Sequence, residues 1–191
     1  MEVKIVDINK KNFEGIPRPA DRRYNCQECF YWMGKKDGKL DLERQKRKWF
    51  LRKAERHGGS LGKLLLWGKR QKPVGYIQFG PISEFETARI FYQDTAPIPR
   101  NGWCITCIAI DTNYRGRDLA KRLIRNVLRD LKRRGVRTVD AYPVKEPKSL
   151  NQIPCGPVSL WKNLGFESVF KAATKRKIIR RDNIVMRKKL R

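Results

Sequence analysis

Apolar residues Leu119, Ala120, Leu123, Ile124, Val127, Leu128 and Leu131 recur at three- and four-residue steps, and the positions between them are almost all charged. That spacing lays one apolar stripe along a helix, so it predicts a helix over 117–134, closed by Gly135 where a left-handed residue ends a helix. Residues 2–8 alternate and predict a strand. The stretch 38–57 has no proline and, after Gly38, no glycine. It predicts a second helix with Trp49, Phe50 and Ala54 inward and Arg44, Lys46, Arg47, Lys48, Arg52, Lys53 and Arg56 on the solvent face. Residues 64–67 and 74–79 form a predicted hairpin around Lys69 to Lys72, and 103–111 and 138–144 are further strands. Prolines at 81, 97 and 99 make 80–100 a loop with a short interruption over 88–92, and 145–156 a second loop. A short helix over 159–164 ends at Gly165, and strands over 166–174 and 183–190 pair as a late hairpin. The fold class is α+β: a layered, mixed, mostly antiparallel twisted sheet flanked by helices, one domain over 1–191.

The step from strand 103–111 into helix 117–134 carries the chemistry. A polar turn there delivers backbone N–H groups and a helix N-terminus to one spot, with Arg115, Arg117, Lys121 and Arg122 around it. Such a turn is an anion site suited to phosphate or pyrophosphate.

Strand, basic turn and helix together resemble the acyl-CoA-binding core of the GNAT superfamily of N-acetyltransferases. The family signature Arg/Gln-x-x-Gly-x-Gly/Ala falls on Arg115, Asp118 and Ala120, with Asp118 standing where the family has its central glycine. Lys72-Pro73-Val74-Gly75 resembles the family's third strand, and Leu160-Trp161-Lys162-Asn163-Leu164-Gly165-Phe166 its last helix exit. Three landmarks in the family's order span residues 60 to 170.

The resemblance implies an acetyl-CoA-dependent N-acetyltransferase in which an amine attacks the thioester directly. It implies that the backbone of Arg115, Gly116, Arg117, Asp118, Leu119 and Ala120, with Lys121 beside it, holds the pyrophosphate, and that the edge of Ile108, Ala109 and Ile110 holds the pantetheine arm. An N–H near Ile108 would stabilise the thioester oxygen. Where many relatives carry a tyrosine as the acid that protonates the leaving thiolate, this chain has Trp161, whose indole N–H cannot do so. Trp161 is expected to pack beneath the coenzyme arm, leaving Tyr142, Cys155 and Ser159 as candidate acids. Glu84, Glu86 and Asp94 are candidate bases, and the sole histidine, His57, sits at a helix end in a capping place.

Composition adds a partner class. Lys and Arg number 45 against 19 Asp and Glu, a formal charge of +26, and the excess is spread: residues 115–137 and 171–191 each carry ten cations. RNA or another polyanion fits that balance. If Asp118 repels a pyrophosphate, the alternative is a non-catalytic GNAT-like module binding nucleic acid or ribosome. The acceptor amine is expected to be protein- or RNA-associated or anionic rather than polycationic, because the basic face of 44–56 would border its groove. No apolar run reaches about 18 residues and the charged start lacks a signal-peptide pattern, so a cytoplasmic protein is expected. Cys26/Cys29 and Cys104/Cys107 share the Cys-x-x-Cys spacing. In a regular strand Cys104 and Cys107 point to opposite faces, so no metal site is expected and buried reduced thiols are.

Overall fold

The computed structural model describes residues 2–19, 24–34, 38, 41–93, 96–144, 155–171 and 184–190, the side chains of 170 and 171 excepted. Among them lie seven strands: β1 (Val3–Asp7), β2 (Gly62–Trp67), β3 (Lys72–Pro81), β4 (Trp103–Ile110), β5 (Thr138–Ala141), β6 (Glu167–Lys171) and β7 (Ile184–Lys189). They form one sheet in the order β1-β2-β3-β4-β5-β7-β6. Every neighbouring pair is antiparallel except β4 and β5. A parallel pair requires a crossover, which the helix α3 (Leu119–Arg133) supplies. The remaining helices are α1 (Leu42–Arg56), α2 (Glu86–Ile90) and α4 (Val158–Lys162).

Each face of the sheet has its own core. On one, the stripe of Leu119, Leu123, Ile124, Val127 and Leu131 packs with Leu65, Val74, Ile77, Phe79 and Ile105, joined by Trp161 and Phe166 from the α4 region. On the other, Phe13, Phe50, Leu61 and Tyr76 gather under α1, and Trp32, Phe85, Phe91 and Tyr142 beside α2. Each such side chain contributes about 2 kcal/mol on burial, which makes the mixed sheet a double-sided clamp rather than a one-sided layer.

The boundaries shift from the predicted ones where backbone conformation intervenes. The second predicted helix begins at Leu42, because Asp41 caps it by accepting from the Arg44 N–H at 3.1 Å. The helix predicted from 117 begins at Leu119, since Gly116 and Asp118 both have left-handed φ of 74° and 54°. The strand predicted over 138–144 stops at Ala141, and the proline at 143 has no N–H to continue a ladder. The predicted loop over 80–100 holds the end of β3, a 3-10 turn and α2. Strands β6 and β7 pair as the late hairpin predicts, although their link, 172–183, lies outside the described residues, as do 145–154 of the second loop.

Two expectations about side chains are corrected. Lys46, placed on the solvent face of α1, is buried: it lies four residues before Phe50 and so shares that residue's inward face. Its ammonium donates to the Cys26 carbonyl and stands 5.9 Å from the ring centres of Phe50 and Tyr76. Cys104 and Cys107 do not point to opposite faces. The register of β3 against β4 slips between Gln78 and Phe79, leaving Thr106 as the extra residue of a bulge, so both thiols face the α1 and α2 side. They still join different groups: Cys104 lies with Tyr142, and Cys107 hydrogen bonds with Cys26. Among the described residues no three His, Cys, Asp or Glu side chains form a group that could hold a metal, and all five cysteines are free thiols.

Candidate functional site

The bulge at Thr106 marks the place where β4 and β5 part. Pairing between them covers only Trp103↔Val139, Cys104↔Asp140 and Ile105↔Ala141. From Cys107 to Ile110, β4 keeps β3 on one side, and no described strand pairs with its other edge. Which groups face that edge follows from alternation. The Asp111 N–H donates to Val74 O at 2.9 Å, so Ala109 and Cys107 share its hydrogen-bonding direction, and the N–H and C=O groups of Ile108 and Ile110 point the other way, into the fork. The Arg115 side chain confirms the direction, donating from Nε to Ile110 O at 3.3 Å.

The fork opens toward the polar turn. A 3-10 turn over Thr112–Tyr114 is fixed by the Asp111 carboxylate accepting from the Asn113 N–H at 3.0 Å, and the chain then passes through Gly116 and Asp118 into α3. The first intrahelical bond is Arg122 N–H to Asp118 O at 3.0 Å, so the N–H groups of Leu119, Ala120 and Lys121 have no partner inside the helix. Asp118 occupies the capping place without a side-chain cap bond. Its carboxylate instead pairs with Lys121 at 2.8 Å, which holds it below the usual carboxylate range. A side chain that could have closed the helix end is thereby turned aside, and three N–H donors remain available for an anion. Asp and Asn are the residues that tolerate the left-handed conformation after glycine, which accounts for Asp118 where the family signature has glycine.

At the closed end of the fork the structure is dense. Cys155 is fully buried and its thiol donates to Thr106 O at 2.9 Å, capping the first β4 carbonyl beyond the paired stretch. Burial pushes this thiol up to about 12. Trp161 is also fully buried, with its ring edge-on to Phe166 at 4.9 Å and its indole N–H donating to Cys155 O at 2.6 Å. The indole therefore fixes the loop that presents Cys155, and it has no surface at the fork. Tyr142 is buried among Trp32 and Phe91, its hydroxyl 3.2 Å from that of Tyr92, and burial raises its pKa well above the usual tyrosine value. Tyr92 donates to Asp140, which is fully buried and held by Arg187 through two bonds of 2.8 Å. Ser159 is exposed on the first turn of α4. Of the three candidate acids, only Ser159 reaches solvent.

The candidate bases separate as well. Glu84 accepts from Lys53 and lies 2.8 Å from His57 Nε2; its carboxyl is partly desolvated, yet these two partners hold it below the usual range. It is a locked ion cluster at the end of α1, where His57 is the C-cap residue. Glu86 lies against Gly34, and Asp94 lies outside the described residues. Sequence reasoning missed the cluster of Lys46, Cys26, Cys29 and Cys107. Here the Cys107 hydrogen bond lowers the Cys26 thiol, while burial lowers Lys46 and that thiol pair raises Cys107. Lysine on a helix carries no sequence mark of burial.

No helix among the described residues is long and apolar enough to cross a membrane. Among curated proteins none matches the chain. Solved structures do. A ribosomal-protein-S5-alanine acetyltransferase from Vibrio fischeri superposes with a TM-score of 0.62 at 15% identity, covering 98% of this chain and 93% of that one. An N-acetyltransferase from Staphylococcus aureus gives 0.61 at 14% identity with 100% of both chains covered. The PaiA N-acetyltransferase from Thermoplasma acidophilum, in complex with coenzyme A, gives 0.54 at 13% identity and 99% of both. Likeness at such identities speaks for the fold. The sequence itself matches the acetyltransferase (GNAT) family over residues 6–153. With the forked sheet and the uncapped helix start in the same stretch, the chain belongs to the acetyltransferase (GNAT) family, acyltransferases whose acyl donor is acetyl-CoA.

Proposed function

We propose that the chain transfers an acetyl group from acetyl-CoA to a primary amine by direct attack. The observation that carries this is the edge of β4 at Ile108 and Ile110 that no described strand pairs with, where Arg115 alone reaches the Ile110 carbonyl, together with the N–H groups of Leu119, Ala120 and Lys121 that have no partner inside the helix. Acetyl-CoA supplies a thioester carbon open to an amine nucleophile. The residues do the rest. Ile108 and Ile110 offer alternating N–H and C=O groups to an extended amide-bearing arm, as a neighbouring strand would. The helix start and the cations Arg115, Arg117 and Lys121 hold a pyrophosphate. Asp118 is neutralised by Lys121 and permits this.

Proton transfer follows from the buried groups. Tyr142 and Cys155 hold their protons more tightly than an ordinary thiol, near 8.5, would take them, so neither is a downhill acid for a leaving thiolate. In this proposal they shape the closed end of the fork, and the thiolate takes its proton from solvent, directly or through Ser159. Glu84 is held by Lys53 and His57, and in this proposal the amine loses its proton to water. The acceptor is protein- or RNA-associated or anionic: exposed Arg44, Lys48 and Arg52 on α1 disfavour a polycation. Native mass spectrometry of the purified protein, followed by loading with acetyl-CoA, tests the donor side. A retained or saturable adduct of coenzyme mass is expected, and failure of acetyl-CoA to bind at millimolar concentration would overturn the proposal.

A further inference from the structure

On the solvent side of α3, starting at its first turn and running away from the coenzyme turn, lies an open groove of about 650 Å³. Arg122, Arg125 and Arg129 line it at three- and four-residue steps, and Lys188 faces them from β7. Ala120 and Arg129 are nine residues apart, about 14 Å along the helix, so most of the groove stands clear of the pyrophosphate turn. The three arginines are exposed, and among the described residues no carboxylate lies within ion-pair distance of any of the four cations. The nearby acids are committed: Asp130 holds Lys63 and Arg134, at 3.1 and 2.8 Å, and Asp118 holds Lys121. A row of like charges along one helix face destabilises that helix unless something anionic covers it.

The rest of the lining narrows the chemistry. Asn126 and Asn163 bring amide donors and acceptors beside the cations, and the partly exposed Val3 and Ile5 of β1, above the buried Leu128 and Leu164, make an apolar floor. Planar guanidinium groups match phosphate oxygens, amides match base edges or sugar hydroxyls, and an apolar floor accepts a base face. A bilayer surface would meet only the arginine ridge and could not reach the recessed floor. From this combination we infer that the α3 groove binds the phosphodiester backbone of single-stranded RNA, as a site separate from the coenzyme fork. The inference stands without the proposed acetyl transfer, since it needs no acetyl-CoA.

Fluorescence anisotropy of a labelled, unstructured 20-nucleotide RNA across a salt series tests it. The variant Arg125→Gln/Arg129→Gln/Lys188→Gln is compared with a charge-matched control on the opposite face of the sheet, Arg44→Gln/Lys48→Gln/Arg52→Gln. Each lost phosphate contact lowers the salt slope by about 0.7, so the groove variant should lose about two from the slope and at least about tenfold in affinity near 0.1 M salt, with the control close to wild type. Arg125→Gln alone should lose about one third of that change, which keeps the result readable if the triple variant folds poorly. Calorimetric coenzyme A affinity should be the same in all variants. Equal losses in both triple variants would overturn the groove in favour of diffuse attraction, and a parallel loss of coenzyme A affinity would reassign it to the coenzyme site. Equal binding of a DNA strand of the same sequence would support the backbone contact and remove the preference for RNA; tighter binding of a poly-glutamate peptide would overturn the nucleic-acid reading.

Discussion

From Trp103 to Ile105, β4 has hydrogen-bonded neighbours on both sides; from Cys107 to Ile110 it has one on the β3 side only. The two halves share a strand and a β3 partner, and they differ in what stands opposite. Beside the first half, Asp140, Arg187, Tyr92 and Tyr142 make a buried, mutually satisfied polar group. Beside the second, no described strand pairs with the outward backbone groups, Arg115 alone reaches the Ile110 carbonyl, and the chain runs on into a helix with no side-chain cap bond. An open strand edge is ordinarily a hazard that proteins cover. Here the exposure is short, four residues, and is bounded by Cys155 at one end and the basic turn at the other. The comparison teaches that the open edge of the proposed site comes from β5 ending early, beside a half whose polar groups are bonded to one another.

Breaking the closed half should have the largest effect. Asp140→Ala leaves Arg187 without its buried partner and should cost about 3 kcal/mol, read as a lower urea midpoint with an unchanged slope. The coenzyme affinity of the folded protein should persist. A loss below about 1 kcal/mol would show that the polar group is not what braces the fork.

Alkaline pH tests the junction between the halves. The Cys155 thiol is raised from 9.0 to about 12 on folding, so the unfolded chain gives up that proton first. Its contribution is fully present below pH 9 and is lost as pH rises toward 12, at up to about 1.4 kcal/mol per pH unit. Cys155→Ala should flatten that part of the stability profile relative to wild type by one proton's worth. An identical alkaline slope in both proteins would show that Cys155 is not held protonated at the fork.

The smallest expected effect sharpens the open half. Asp118→Gly replaces a left-handed residue of φ 54° by the one that adopts it without strain, and removes a carboxylate near the helix start. It should raise the urea midpoint slightly and tighten coenzyme binding by no more than about fivefold, because the exposed pair with Lys121 is already screened. Weaker binding would mean that Asp118 positions Lys121 for the ligand.

Much of this was legible in the sequence because periodicity reports burial. The α3 stripe and the strands up to β4 follow their apolar patterns, and the basic turn announced itself by Gly116 and its cations. The bulge at Thr106 was not legible, since an extra residue in a strand leaves alternation locally plausible while turning Cys107 to the face of Cys104. Nor was the burial of Lys46, whose charge is offset by the Phe50 ring one turn on and by a carbonyl and a ring from distant segments, Cys26 and Tyr76. Trp161 could be aligned from its neighbours Leu164, Gly165 and Phe166, but its bond to the Cys155 carbonyl depends on a loop path that no spacing encodes.

If the open half of β4 and the start of α3 form one coenzyme site, calorimetric titration of coenzyme A into wild type and Ala120→Glu separates the two proteins. An added carboxylate in the first helical turn suits the helix dipole, so the fold should be kept, while it competes for the N–H groups that would hold a pyrophosphate and opposes its charge. Saturable binding by wild type and a loss of at least about thirtyfold, roughly 2 kcal/mol, in the variant is the predicted result. Equal affinity in the two proteins would contradict it.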